Sequence, residues 1–296
     1  MISQILSVFR IFPKEEEMYQ RIIPAFEQLY KDIGEPIQFA PKLNELDRSI
    51  GIDLILMEDL QAKNFRNGNR IKGLDMIHSQ AVLKKLAEFH AASACYVEKY
   101  EQFSEDFTVG VFSTKNIDLL KQFNASGSFL ARLKQWPNCQ SFYEKLRDSD
   151  DYLVKRLLEN QKVEKAEFNV LNHGDCWCNN IMFQYDAFGN IKNTLFVDFA
   201  LCKYGSPAND LYYFILSSCA QDIKLSQFDY MIRYYYDHLV KNLKLLQYSR
   251  PLPKLVNIHC SLLRNGLAGK FENLIPLSWC YYFKSTLVTL PIIISM

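Results

Sequence analysis

The sequence predicts an α+β fold in which one β-hairpin is embedded in a mostly helical chain. Ile181–Tyr185 and Asn193–Phe199 are rich in residues that favour β-strands. The DAFGN segment between them contains the Asp, Gly and Asn residues that tight turns favour, so we expect the two runs to pair. Apolar residues at helical spacing recur in Lys14–Ile23, in Ile77–Ala94 and in the last third of the chain. Helices should therefore form most of the core around the hairpin.

The composition excludes several classes of protein. Of the 296 residues, 49% are apolar and 23% are charged, which is ordinary for a globular protein of one large or two ordinary domains. A net charge of +1 gives no electrostatic case for binding nucleic acid. The eight cysteines indicate reduced thiols, and no signal peptide is recognisable. The apolar end, Ser285–Met296, is too short to span a bilayer and resembles a cut within a structural element. We expect a cytoplasmic monomer without a membrane span.

The first predicted helix covers Lys14–Ile23 and resumes after Pro24 as Ala25–Lys31. Its apolar residues, such as Met18 and Ile22, recur at helical spacing. The acidic run EEE near its start is favourable beside the positive end of the helix dipole.

A short apolar run, Ile52–Met57, predicts a strand that leads into Glu58, Asp59 and Leu60. Backbone that leaves a buried strand can offer its N–H and C=O groups to a planar ligand. An ordinary junction between a strand and a loop explains the same residues.

A longer amphipathic helix is predicted over Ile77–Ala94, with Val82, Leu86 and Phe89 along one stripe. His90 lies near that stripe. We interpret it as a packed histidine rather than a catalytic one.

The polar residues of chemical interest lie between Asn172 and Phe199. If the hairpin turn is centred on Gly189, Asn180 faces Asp198 at the open end of the hairpin. A carboxylate beside an amide oxygen suits Mg²⁺. Asp175 places a second acid at the same end. An acid five residues before an Asn, with a further Asp beyond a hairpin, is the arrangement that kinase-type phosphoryl transfer uses.

Two other chemistries fit the residue types less well. His173, Cys176, Cys178 and Cys202 could be soft ligands for zinc, but their spacing lacks the C-x2-C pairs of structural zinc sites. A Cys–His nucleophile would need an orienting partner and an oxyanion hole, and the sequence indicates neither.

Several motifs together resemble one protein family. H-G-D-x-W-x-N-N, then V-D-F, then GSPANDL at 205–211 are similar to the ecdysteroid kinase-like (CHK kinase-like) family of insects, relatives of the choline and aminoglycoside kinases. FPKEEEMY at 12–19 and ILMEDL at 55–60 extend the resemblance over nearly the whole chain. It implies a protein-kinase-like, two-lobed fold. Residues 1–60 would be the remnant of a truncated small nucleotide-binding lobe ending in the hinge, and residues 61–296 a mostly helical catalytic and acceptor-binding lobe.

The resemblance also implies roles for residues. Asp175 would be the catalytic base, Asn180 and Asp198 would hold Mg²⁺, and ATP would be the phosphoryl donor. His173 would support the site structurally, as would Asp210, although an acid at a helix start is favourable without any special role. The implied contacts with the nucleotide come from Glu15, whose partner is a phosphate-binding lysine, and from the hinge residues Met57, Glu58, Asp59 and Leu60.

The chain also departs from the family pattern. No Gly-rich loop precedes Lys14, which lies on the helix beside Glu15 and cannot be the phosphate-binding lysine. Ala200 stands where the family usually has Gln. The implied function is ATP-dependent phosphorylation of a hydroxyl on a small molecule, an ecdysteroid or another lipophilic alcohol. The alternative is a catalytically impaired binding or regulatory remnant that lacks the Gly-rich loop and the lysine.

Overall fold

The structure is a computed structural model that describes residues 10–44, 54–100, 102–109, 134–136, 140–147 and 163–272. The helices in these ranges are α1 (Ile11–Glu17), α2 (Ile23–Asp32), α3 (Met76–Lys99), α4 (Glu105–Thr108), α5 (Gln140–Arg147), α6 (Ala208–Ser218), α7 (Gln221–Ser226), α8 (Phe228–Leu245) and α9 (Leu255–Glu272). The strands are β1 (Phe65–Asn67), β2 (Val170–Asn172), β3 (Ile181–Tyr185), β4 (Ile191–Phe196) and β5 (Lys203–Gly205).

The N-terminal helix is continuous, because a π-helical turn, Met18–Ile22, joins α1 to α2. Pro24 lies in the first turn of α2, where a missing N–H is best tolerated. Pro24 therefore does not break the helix, and the wide π turn accommodates the change. The centre of the buried face repeats every fourth residue, at Met18, Ile22, Phe26 and Tyr30, which are fully buried.

The main sheet is antiparallel, with β3 between β1 and β4. The predicted hairpin is present, but its register differs by one residue from the expected one. Ile181 pairs with Phe196, and the N–H of Val197 donates to the carbonyl of Asn180 at 3.0 Å. Asn180 therefore faces Val197, and Asp198 lies one residue further along.

The turn and a bulge explain this difference. Asp186 N–H donates to the carbonyl of Asn190 at 2.9 Å, so the turn is centred on Phe188 rather than on Gly189. A bulge between Gln184 and Tyr185 then adds one residue on the β4 side. Neither shift changes the general placement of Asp198 at the open end of the hairpin.

A second, two-stranded sheet joins the segment before the HGD turn (His173–Asp175) to the segment before α6. β2 pairs antiparallel with β5, and Asn172 lies opposite Lys203. The HGD turn follows β2 directly, while β5 leads into α6. This pairing fixes the start of the HGD turn beside the segment that precedes α6.

The predicted strand at 52–57 is reduced to an isolated bridge in the described residues. Leu43 and Met57 form this antiparallel bridge. Asn44 N–H donates to the carbonyl of Leu56 at 2.8 Å beside it. The beginning of the predicted strand lies outside the residues that the structure describes.

The central helix α3 has Asp75 as its N-cap, whose side chain accepts the N–H of His78. As predicted, Val82, Leu86 and Phe89 are fully buried. Phe89 packs edge-on against Phe26, with ring centroids 5.2 Å apart. It also contacts the rings of Phe39, Phe196 and Phe199. Phe89 thus joins the N-terminal helix, the hairpin and α3 in one core.

These elements confirm the predicted α+β class. The division into lobes at residues 60 and 61 stays a prediction. Within the described ranges, no helix combines the length and the apolar character that crossing a bilayer requires.

We expect Phe89→Ala to lower the free energy of unfolding by about 4 kcal/mol, because it removes a buried ring and leaves a cavity among four other rings. The matched control is Phe188→Ala at the hairpin turn, where the side chain is 90% exposed. Urea unfolding of both variants measures the difference. Equal stability of the two variants would show that Phe89 does not join these elements.

Candidate functional site

Asp175 provides the carboxylate of the HGD turn and is buried, with only 2% of its surface exposed. Asn180 Nδ2 donates to Asp175 Oδ2 at 2.8 Å and to the Asp175 carbonyl at 3.0 Å. The hydroxyl of Tyr213 donates to Asp175 Oδ1 at 2.6 Å. Both carboxylate oxygens are therefore held in place, one by the loop and one by α6.

Gly174 allows the turn to pack closely against the segment after β4. Its φ of +79° lies in the left-handed region. A Cβ atom at this position would lie 2.1 Å from the carbonyl oxygen of Leu201. Only glycine fits here, and the contact keeps the HGD turn beside residues 198–202.

Asp210 supports the turn from below. One of its oxygens accepts the N–H of His173 at 2.6 Å, and the other accepts the N–H of Gly174 at 2.9 Å. His90 Nε2 lies 3.1 Å from Asp210 Oδ2, and His90 Nδ1 lies 2.7 Å from the hydroxyl of Tyr235. The carboxylate is fully buried. Its three direct partners connect the turn to α3, and His90 extends the connection to Tyr235 on α8.

The charge of Asp210 is stabilised despite its burial. Burial alone raises the pKa of this carboxyl, but the hydrogen bond and charge of His90 and the Gly174 N–H together hold the pKa below its usual value. Asp210 is therefore ionised in the folded protein at neutral pH. The hydrogen bonds from His173 and Gly174 fit the supporting role that was predicted for Asp210, and that role stays a prediction.

The imidazole of His173 lies between the turn and the end of β4. Nε2 is 3.2 Å from the carbonyl oxygen of Val197, and Nδ1 accepts the N–H of Asp175 at 3.3 Å. The ring also packs against Phe196 and Phe199. Both nitrogens thus contact backbone, which suits a structural role.

Asp198 follows β4 with a φ of +68°, a conformation that side chains rarely adopt. Such backbone strain is common at functional sites. The bond between Val197 N–H and the Asn180 carbonyl places Asp198 one residue beyond the partner of Asn180. The structure thus brings Asp175, Asn180 and Asp198 to the same end of the hairpin.

Glu15 on α1 lies close to Asp198. Burial and the negative charge of Asp198 raise the pKa of Glu15 to about 8, although the N–H of Phe199 acts in the opposite direction. Without a cation beside this pair, Glu15 therefore tends to keep its proton at neutral pH, and a cation would favour its ionised form. The neighbouring Lys14 is directed elsewhere, because its buried ammonium donates to the carbonyl of Cys202 at 3.4 Å.

The hinge residues identified from the sequence make mostly local contacts. Glu58 N–H donates to the carbonyl of Lys42, and the Asp59 carboxylate caps the following turn through the N–H of Gln61. Leu60 is buried beneath the hairpin. Burial raises the pKa of Glu58, but hydrogen bonds, led by that from Lys63, outweigh burial and lower it. Met57 belongs to the bridge described above.

The thiols near the HGD turn are unsuited to nucleophilic chemistry. Cys176 and Cys178 are buried. Burial raises the pKa of Cys178 to about 11 and that of Cys176 well above its usual value. A thiol that stays protonated is a poor nucleophile.

The oxygen groups at the site suit an Mg²⁺ ion that is shared with bound phosphates rather than a metal ion held by protein side chains alone. Among the residues that the structure describes, no group of three or more His, Cys, Asp or Glu side chains could hold a metal ion. Mg²⁺ in phosphoryl-transfer sites uses one or two carboxylates together with phosphates and water. The carboxylate of Asp198 and the side-chain oxygen of Asn180 are oxygen groups of the kind that would serve such a site.

Three contributors to the site were missed by the sequence reasoning. Tyr213 belongs to an apolar-looking helix, and no local pattern indicates its bond to Asp175. The bond between His90 and Asp210 joins residues 120 positions apart. The crowding at Gly174 depends on Leu201. Only the HGD turn itself carried a signal, since a glycine between polar residues marks a tight turn.

The chain has the kinase-like α+β fold that the motifs predicted. The family model described as the ecdysteroid kinase-like family matches residues 1–248, so the chain belongs to this family. No protein of curated function matches the sequence.

Solved structures that are similar to this chain include the following three. An ethanolamine kinase from Plasmodium vivax is 14% identical, and the match covers 90% of this chain and 73% of that one with a TM-score of 0.38. A choline/ethanolamine kinase family protein from Mesorhizobium loti is 12% identical, with coverages of 86% and 82% and a TM-score of 0.36. A choline kinase from Cryptosporidium parvum Iowa II is 12% identical, with coverages of 91% and 79% and a TM-score of 0.46.

We expect Asp210→Asn to lower the free energy of unfolding by about 3 kcal/mol, because it removes a buried charge that several donors stabilise. The control Asp222→Asn changes an exposed acid and should cost less than about 0.5 kcal/mol. The pKa of Asp210 is lowered in the folded state. Its stabilisation is therefore complete above the usual carboxyl pKa and is lost as the pH falls through the folded value.

Urea unfolding of wild type and both variants between neutral and acidic pH measures this effect. The gap between wild type and Asp210→Asn should narrow as the solution becomes acidic. A gap that stays constant down to about pH 3, below the ordinary carboxyl pKa, argues against a stabilised charge at this position.

Proposed function

We propose that this chain is an ATP-dependent kinase that phosphorylates a hydroxyl group of a small molecule. The observation that carries the proposal is the buried carboxylate of Asp175, bonded to Asn180 beside the strand-end Asp198. Family membership supports the same chemistry, since the family is described as ecdysteroid kinase-like. We further propose a lipophilic alcohol, such as an ecdysteroid, as the acceptor. The protein would act in the cytoplasm as a monomer.

The residues of the site have different roles in the proposed reaction. Asp175 accepts the proton of the acceptor hydroxyl and orients that hydroxyl, because its carboxylate is fixed from both sides. Asn180 links this base to the metal-binding end of the hairpin. Asp198 and the side-chain oxygen of Asn180 would hold Mg²⁺, and Mg²⁺·ATP supplies the phosphoryl group when bound. His173 and Asp210 keep the turn in place.

The nucleotide side of the site is also a proposal. Glu15 lies beside Asp198, where it would pair with a cation that approaches the phosphates. The backbone around Met57, Glu58, Asp59 and Leu60 would form the hinge against the adenine. The Glu58 N–H already bonds to Lys42, so the hinge contacts would come from neighbouring groups.

We expect Asp175→Asn to reduce kcat by about 10³-fold while Mg²⁺·ATP binding changes by less than about twofold, because a base acts on the transition state. Release of ADP, measured with a panel of steroid and amino-alcohol acceptors, reports kcat. Titration calorimetry reports nucleotide affinity. Asp222→Asn serves as the control with the same chemical change. An active Asp175→Asn enzyme would sink the assignment of the base.

Tyr213 should act as a positioning residue for Asp175. A donated hydrogen bond favours the ionised carboxylate, so Tyr213→Phe should move the acidic limb of the kcat–pH profile to higher pH. We also expect kcat to fall by about tenfold at its optimum, since one bond that orients the base is lost.

The control is Tyr212→Phe on the same helix, which removes a hydroxyl that donates to the carbonyl of Leu262 at 2.8 Å. It should leave the pH profile unchanged. Identical profiles for the two variants would mean that the Tyr213 hydroxyl serves only packing.

A further inference from the structure

A large cavity lies away from the HGD turn. It is open to solvent and is bounded by the segment before β2, the junction of β5 and α6, the loop between α8 and α9, and the first turns of α9. Its volume is about 900 Å³, which lies within the range of small-molecule sites. The cavity is therefore large enough to hold a metabolite rather than a few waters.

Positive charge is concentrated around this cavity. Two carboxylates, Glu164 and Glu167, also line it. Five cationic side chains line the cavity, which leaves a local excess of three positive charges. The chain as a whole carries a net charge of only +1, so this excess is not a general property of the surface. An anion would be attracted here. The cationic side chains are Lys165, Lys203, Arg250, Lys254 and Arg264.

Part of this charge is already compensated within the protein. Arg264 contacts Glu167 at 2.8 Å, and Arg250 lies 3.8 Å from Glu98 outside the cavity. Glu167 is also occupied by the hydroxyl of Ser261, which donates to it at 3.1 Å. The pairing of Glu167 removes one carboxylate as a competitor for the exposed side chains of Lys165 and Lys254, so this part of the wall stays cationic.

The other lining groups suit a ligand with a polar and an apolar part. Asn209 and Asn257 add side-chain amides. Phe168 and Tyr248 form an edge-to-face pair on one side, with ring centroids 6.2 Å apart. Pro251 and Pro253 limit the backbone freedom of the loop between α8 and α9. Rings beside cations and amides match a compound that carries an anionic group on an apolar body.

The cavity is distinct from the proposed catalytic site. Its lining includes none of Asp175, Asn180, Asp198 or Tyr213. It is nevertheless close in sequence to the support of the HGD turn, because Asn209 directly precedes Asp210.

We propose that this cavity binds a small phosphate ester, with the phosphate near Lys165 and Lys254 and the apolar part against Phe168 and Tyr248. Phosphate carries up to two negative charges and several acceptor oxygens, so it offsets the local excess of positive charge better than a single carboxylate does. The proposal does not depend on kinase activity.

The test uses phenyl phosphate as the probe, titrated into the full chain without divalent ions so that the metal-dependent site does not contribute. Calorimetry should show saturable binding that is tighter than that of benzoate, which has the same ring but a single negative charge. The variant Lys165→Glu/Lys254→Glu reverses two exposed charges at the cavity and should weaken binding by about tenfold or more.

The matched control is Lys192→Glu/Lys241→Glu, which makes the same change in net charge at exposed positions on the hairpin and α8. It should alter the affinity by less than about twofold, since distant surface charges are screened. Thermal unfolding of both double variants verifies that each is folded. No saturable binding by wild type, tighter binding of benzoate, or equal weakening in the two double variants would overturn the proposal.

Discussion

The buried carboxylate of Asp210 is the interaction on which the rest of the site depends. It accepts the N–H groups of His173 and Gly174 and contacts His90, so one side chain holds the backbone of the turn against α3 and α6. A buried charge is costly unless several donors surround it, and a single missing donor would leave it uncompensated. The position of Asp175 therefore depends on Asp210, which does not contact the acceptor in the proposed reaction.

Local patterns were sufficient to predict much of the fold. The hairpin and the buried face of α3 follow from periodicity, because strand and helix residues repeat over distances that a sequence displays directly. The proximity of Asp175 and Asn180 follows from five residues of separation within one turn. The exact register of the hairpin did not follow, because the turn is centred on Phe188 and a bulge at Gln184/Tyr185 lies beside it, and the residue types of the turn mark neither.

The remainder of the site required tertiary information. Tyr213 sits in an apolar helix whose sequence only indicates burial, and its bond to Asp175 exists because α6 is docked under the HGD turn. Glu15 was identified through the family resemblance. Its closeness to Asp198, however, arises from the way in which α1 packs on the segment after β4. Such contacts between distant residues leave no periodic trace in a single sequence.

The enclosure of Asp175 affects how readily water could replace the acceptor in the proposed reaction. A base that stood in open solvent could activate water as readily as an alcohol, and ATP would then be hydrolysed without product. With 2% of its surface exposed and both oxygens bonded to protein, Asp175 offers water little access. An acceptor alcohol meets the same enclosure, so under the proposed assignment its binding must displace part of this packing to reach the base, and ATP hydrolysis stays slow until it does.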